Sequence, residues 1–366
     1  MTKEIIFANL AHRPVRTAVS IVAVSVEVAL ILLIVGLVTG IKVDIGERAQ
    51  GVGAEIMLQA PGSSVFLGLN SSVMPVEIGE RLTEVEGIAS VAPVVTQFNS
   101  QGGLDIVFGI DEDSFGALDG GFSYIDGRIF QSSDEILIDD LYAEAKGIGV
   151  GDEISILNHR FEVSGVVDNG KGARLYMDLA TAQEMMGAPD RASLFYIKLD
   201  DPDDTYAMVD QLEAMLPTYP AIPVRDMVSL MSNTSVPALD AFLTVVLSLA
   251  VSIGVLVIFL SMYTTISERT REIGILRSLG ASKRYVVRMI LTETLWLCVA
   301  GTLIGIGLSF VVADTVQRAY PTLAIVIPTD WILQAIGLAL VSGILGAIYP
   351  SLRAASQDPV EAIAYE

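Results

Sequence analysis

A chain of 366 residues that is 52% hydrophobic and 18% charged, with a mean hydropathy of +0.57, is too apolar for an ordinary soluble globule. Its net charge of −21 argues against nucleic acid as a partner. One cysteine (Cys298) and two histidines (His12 and His159) exclude an intrachain disulfide and leave too little for a zinc site or a Ser/His/Asp triad within one chain.

In chain order, Met1 to His12 places Ile5, Ile6, Phe7 and Leu10 on one broad face, the spacing of a helix lying on a membrane surface, so residues 1–16 are expected to be interfacial. The apolar run 17–41 exceeds the h-region of a signal peptide and meets the length of about 20 residues that a spanning helix needs. Lys42 to Gln50 is polar and free of proline, so the helix is expected to continue as a stalk up to the Gly51 and Gly53 break. Three further spans are expected at 239–263, 289–312 and 331–349, joined by loops at 264–288 and 313–330 and followed by a tail at 350–366.

Lys and Arg number three in residues 1–16, six in 264–288 and one in the tail, which predicts that both termini and the 264–288 loop are cytoplasmic in a multi-pass inner-membrane protein. Residues 42–238 then lie outside. From 42 to 240 there are 33 acidic against 11 basic side chains, a net of −22 that accounts for the whole chain's excess charge. Such a surface either solvates an exported domain or draws cationic substrates and divalent ions through its summed field. The run Asp200, Asp201, Asp203, Asp204 lacks the glycine and distal glutamate of a calcium loop and reads as a turn.

The external segment reads as mixed α and β. Strand, helix and strand are expected at 54–60, 75–85 and 89–98, and again at 193–199, 205–216 and 221–224. Short strands at 104–110, 135–138, 153–157 and 161–167, divided by Gly and Asp turns, form a β-rich insertion between the two β-α-β units. The fold class is therefore a membrane α-helical bundle of four transmembrane helices plus an extracytoplasmic mixed α/β domain.

In the 264–288 loop, Glu268 to Leu279 predicts a charged helix that stops at Gly280, with Ser282 capping the next. Asp358 before Pro359 opens a last short helix in the tail. The stretch Glu268-Arg-Thr-Arg-Glu-Ile-Gly-Ile-Leu-Arg-Ser-Leu-Gly-Ala-Ser-Lys283, then Glu293, then Tyr349-Pro-Ser-Leu-Arg-Ala-Ala-Ser-Gln-Asp-Pro-Val-Glu-Ala362, resembles the permeases of the macrolide-exporter, lipoprotein-release and cell-division FtsX superfamily. Val107-Phe-Gly-Ile110, Asp126-Gly-Arg-Ile-Phe130, Val150-Gly-Asp152 and Phe161-Glu-Val-Ser-Gly-Val166 look like the periplasmic core domain of these permeases. The tail departs from the pattern, with Arg353 alone where the family often has more basic residues.

The resemblance implies a porter-like lobe with an inserted lobe, and a non-catalytic membrane subunit driven by a separate ABC ATPase. It implies a dimer with a second permease copy or paralogue, with a periplasmic adaptor and membrane lipid as further candidate partners. No G-x-x-x-x-G-K-[ST] loop occurs, so ATP and Mg²⁺ are expected to act through the partner and no cofactor through this chain. The expected coupling element comprises Glu268, Arg269, Arg271, Glu272 and Arg277 as ion-pairing groups, with Ile273, Ile275 and Leu276 docking against the ATPase. Gly36/Gly40 and Gly301/Gly305 are GxxxG pairs suited to close helix approach or a dimer interface. Glu27 and Glu293 are intramembrane carboxylates, Glu27 a candidate for an interface or substrate path and Glu293 for pairing with a loop arginine. The expected function is export or release of a substrate by ATP-driven motion of the external domain. The alternative is transmembrane signalling to a cell-wall hydrolase.

Overall fold

The computed structural model describes residues 14–63, 72–99, 105–233 and 237–357. The surface helix expected from Met1 to His12 and the tail helix expected from Asp358 lie outside the described residues. Helix α1 (Pro14–Gln50) carries the first apolar run and the polar stalk without a break. It ends where Gly53 takes a φ of +84°, a conformation that a side chain disfavours. The chain divides into a helical unit (residues up to Gly40, Ser235–Arg318, and from Ile325 onward) and a sheet unit (Ile41–Thr234 with Ala319–Ala324).

The first half of the sheet unit contains β1 (Ile56–Gln59), β2 (Met74–Pro75), α2 (Glu77–Leu82), β3 (Ile88–Asn99), β4 (Asp105–Ile110), α3 (Glu112–Asp119), β5 (Tyr124–Gly127), β6 (Glu135–Asp139) and α4 (Asp140–Lys146). The second half contains β7 (Glu153–Ile156), β8 (His159–Val167), β9 (Leu175–Asp178), α5 (Leu179–Met186), β10 (Arg191–Ala192), β11 (Leu194–Leu199), α6 (Thr205–Met215), β12 (Ala221–Pro223) and α7 (Met227–Asn233). Helices α3, α4 and α5 have no counterpart in the sequence reading. Each is opened by an aspartate that accepts a backbone N–H (Asp111, Asp139 and Asp178) and closed by a left-handed glycine. The Asp200–Asp204 run forms a 3₁₀ turn capped by Asp201.

Ten strands form one sheet in the order β12-β1-β11-β3-β4-β9-β6-β8-β5, with β7 on β8. Strand β11 lies antiparallel between β1 and β3, and β1 lies antiparallel between β11 and β12. The two β-α-β units therefore interlock as a ferredoxin-like split pair. The β-rich insertion is not a separate sheet: β3 runs 12 residues and its later half pairs with β4, which continues the ladder. The division into lobes is instead a division of cores. Ile56, Leu58, Leu82, Phe195, Ile197 and Leu212 form one, and Val95, Val107, Ile138, Phe161, Leu175 and Met177 another.

In the helical unit, α8 (Pro237–Glu268), α9 (Thr270–Ser278), α10 (Lys283–Ala319) and α11 (Thr329–Ser356) follow in order. Among the described residues, α1, α8, α10 and α11 are the four helices long and apolar enough to cross a membrane. The helices overrun the expected spans at both ends, because helical hydrogen bonding continues past the point where polar residues resume.

One charged contact in the second lobe sets an acid response. Arg128 makes two 2.8 Å bonds to the Glu135 carboxylate, which also accepts the Gln131 N–H. The Arg128 bonds, with the backbone donors behind them, lower the Glu135 pKa to about 2. Stability from this depressed carboxylate is present above the unfolded value near 4.5 and is lost as pH falls toward 2. An Arg128→Gln chain should therefore lose less stability than wild type between pH 4.5 and 2, read as the slope of unfolding midpoint against pH.

Candidate functional site

The segment between the second and third membrane helices is built from residues that separate into two faces. Helix α8 runs through Glu268, so the short helix begins at Thr270 rather than at the expected Glu268, and Glu268 is the last residue of the preceding helix. Arg269 occupies the corner. Its guanidinium is buried and lies 3.2 Å from the Glu293 carboxylate of α10, itself 6% exposed. At the far end Arg277 donates to the backbone carbonyl of Gln357, and Gly280 turns the chain with a φ of +97° before Ser282 caps α10 by accepting the Tyr285 N–H.

Three of the expected docking residues are turned toward the chain itself. Arg269 and Arg277 are engaged inside the chain, and Ile273, 4% exposed, packs in the bundle core with Ile266, Val286 and Ile290. Arg271, Glu272, Ile275 and Leu279 remain on the outer face, with Leu276 half-buried. Ile275 and Leu279 are 44% and 80% exposed, apolar side chains that a soluble surface gains nothing by displaying.

Within the bundle, Glu27 is 5% exposed. Its carboxyl lies against Gly254 of α8, where any side chain would collide with it, and accepts a 3.4 Å bond from the Ser342 hydroxyl of α11. The glycines expected at a helix interface are used inside the chain. A side chain on Gly301 would strike Val24, one on Gly305 would strike Ser25 and Val28, and Gly36 faces Ile325 and Ile327. Gly40 is buried in α1. Close approach of α10 to α1 therefore accounts for Gly301 and Gly305 without a second copy.

The sheet unit holds an ionic cluster that sequence reading missed. Arg174, at the start of β9 and 5% exposed, donates to Asp139 at 3.0 Å, to Asp44 of the stalk at 3.4 Å and to the Thr322 carbonyl at 3.4 Å. Asp44 also pairs with Arg48 at 2.8 Å. Asp139, fully buried, accepts the Tyr142 N–H as the cap of α4, and desolvation raises its pKa to about 6 against the pull of Arg174. The available signal was weak: one arginine and one terminal aspartate inside the apolar runs Gly172–Met177 and Ile136–Asp139. Among the described residues, no group of three or more His, Cys, Asp or Glu is placed to hold a metal ion.

Residues 17–215 match the family described as MacB-like periplasmic core domain, and residues 244–359 match FtsX-like permease C-terminal. A macrolide export ATP-binding/permease protein MacB of Bdellovibrio bacteriovorus is 22% identical over 98% of this chain and 61% of its own length. The protein of that name in Photorhabdus laumondii is 33% identical over 38% of this chain and 22% of its own length. The pyoverdine export ATP-binding/permease protein PvdT of Pseudomonas putida is 33% identical over 35% and 19%. The chain thus spans less than two thirds of the length of each of these relatives. The periplasmic region of MacB from Actinobacillus actinomycetemcomitans aligns over 52% of this chain and 99% of its own, at 18% identity and a TM-score of 0.38.

Asp44, Arg48, Asp139 and Arg174 all fall inside the 17–215 match. Removing one partner of a buried ion pair leaves the other charge uncompensated, at a cost of about 3 to 5 kcal/mol. Arg174→Met should destabilise the sheet unit by about 3 kcal/mol. Adding Asp139→Asn, which keeps the cap but removes the orphaned charge, should recover at least half of that loss. Chemical unfolding of the two variants beside wild type measures both effects.

Proposed function

The chain belongs to the MacB-like periplasmic core domain family and carries an FtsX-like permease region, and from that premise we propose that it exports or releases a substrate outside the membrane under the drive of an ATPase partner. It is a permease of the ABC transporter family, with four membrane helices and an external mixed α/β domain. ATP and Mg²⁺ act through the partner, which engages the outer face of α9. Relatives are named for different cargoes, a macrolide in one and pyoverdine in another. The cargo of this chain is accordingly assigned only as a substrate handled at its external domain. A second permease subunit completes the complex, since four helices enclose too little space to line a path alone.

The observation that carries the reading is the clamped geometry of α9. Arg269 is fixed to Glu293 and Arg277 to Gln357, so a push on the exposed Ile275 and Leu279 is passed to α10 and α11 rather than absorbed by a loose loop. A short rigid helix anchored at both ends, with an apolar and charged outer face, suits docking by a soluble partner.

Two substitutions one half-turn apart separate docking from folding. Ile275→Asp should leave the amount of folded permease unchanged but weaken ATPase binding by about 2 kcal/mol or more, abolishing permease-stimulated hydrolysis at limiting concentrations. Ile273→Asp buries a charge in the bundle core and should lower the yield of folded permease itself. Co-purification and ATP turnover in nanodiscs read both, and full coupling in the Ile275→Asp chain removes α9 from this role. Orientation is tested independently with a cysteine at Ser282, an exposed position whose labelling by an impermeant thiol reagent should require opened cells.

A further inference from the structure

We infer that the groove between the first three turns of α10 and the end of α11 is a binding site for an anionic phospholipid. The site rests on the membrane reading of the four helices and is independent of the ATPase. The groove encloses about 640 Å³. Val287, Leu291 and Leu295 of α10 line one wall, and Ile344 and Leu352 of α11 line the other. Leu295, Ile344 and Leu352 are each more than 40% exposed, so the walls present apolar surface that the chain itself does not cover.

The mouth of this groove is cationic. Lys283, Arg284 and Arg288 line it. All three are exposed, and no ion pair or hydrogen bond of their side chains is found among the described residues. Helices ordinarily place acids in their first turn, where the macrodipole is positive, yet α10 has none there and begins with Lys283 and Arg284. Like charge on like potential is unfavourable unless an anion sits beside it. Ser282 takes the Tyr285 and Val286 N–H groups, and the Lys283 and Arg284 N–H groups of that first turn are further donors for such an anion.

Length and depth select a lipid from among anions. Lys283 to Leu295 is 13 residues, 12 rises or roughly 18 Å of helix, close to the roughly 15 Å of hydrocarbon in one leaflet. Aromatic residues mark the same end of the bundle as a membrane interface. Tyr263 accepts a 3.2 Å bond from Arg353, and the Tyr349 ring lies 5.9 Å from Phe259. A phosphate at Arg284 and Arg288 with an acyl chain along Leu291 and Leu295 satisfies the charged mouth and the apolar walls together. The leaflet that the basic loop faces is rich in anionic headgroups.

The test is native mass spectrometry of the full chain in detergent, with added phosphatidylglycerol or phosphatidylcholine. Wild type should retain phosphatidylglycerol preferentially. The R284E/R288E variant should lose that preference by about tenfold or more, whereas R284K/R288K, which keeps the charges, should retain it and show that folding is not at issue. A photoreactive phosphatidylglycerol should cross-link within residues 283–295. Equal retention of the two lipids by wild type, undiminished retention by R284E/R288E, or cross-links confined elsewhere would each overturn the proposal. Full ATPase coupling in the Ile275→Asp chain, with lipid retention intact, would count against the α9 reading alone.

Discussion

The burial of the Arg174 guanidinium is the constraint on which the external unit turns. A charged group at 5% exposure is tolerable only when its donors are met. Here the acceptors come from three places distant in sequence: Asp139 at the end of β6, Asp44 on the stalk, and the carbonyl of Thr322. Satisfying one cation therefore fixes the stalk end of α1 and the 319–324 loop against the middle of a ten-stranded sheet. Asp139 contributes twice, since the same carboxylate caps α4. Tyr176, two residues after Arg174, is fully buried with its hydroxyl on the carbonyls of Lys171 and Ala173, which stiffens the strand carrying the cation.

The helical unit uses the same logic on a different scale. Arg269 and Glu293 are buried partners that hold the corner between α8 and α9. Around that fixed point the remaining side chains sort by helical phase. Ile273 turns inward and Ile275 outward, although the two are separated by one residue and carry the same side chain. The outward face of α9 is thus narrower than the charge pattern suggests, comprising Arg271, Glu272, Ile275 and Leu279 with part of Leu276.

Close helix packing consumes the small residues in the same way. Gly301 and Gly305 admit the Val24 to Val28 stretch of α1, and Gly254 makes room for the Glu27 carboxyl. These contacts occur where a methyl group would already collide, so the glycines are explained within one chain. Exposed apolar side chains remain along the four membrane helices, on the outer face of α9 and in the groove of α10 and α11.

The sequence alone placed the four apolar runs that match the four long apolar helices among the described residues, because spanning hydrocarbon imposes a minimum length and an apolar composition that need no tertiary information; how far each helix continues beyond its run it left open. It determined most strand positions of the external domain, its helices α2 and α6, and the loop from Glu268 to Lys283 as a distinct charged element, because periodicity and capping residues act over a few positions. Tertiary structure alone decided that β11 enters between β1 and β3, a pairing of Val91 with Ile197 that joins residues about a hundred positions apart. It also decided that Arg174 meets Asp44, that Gly301 meets α1, and that Ile273 rather than Ile275 faces the core. Such choices depend on which neighbour occupies a face, and the identity of that neighbour is written in no local window of the chain.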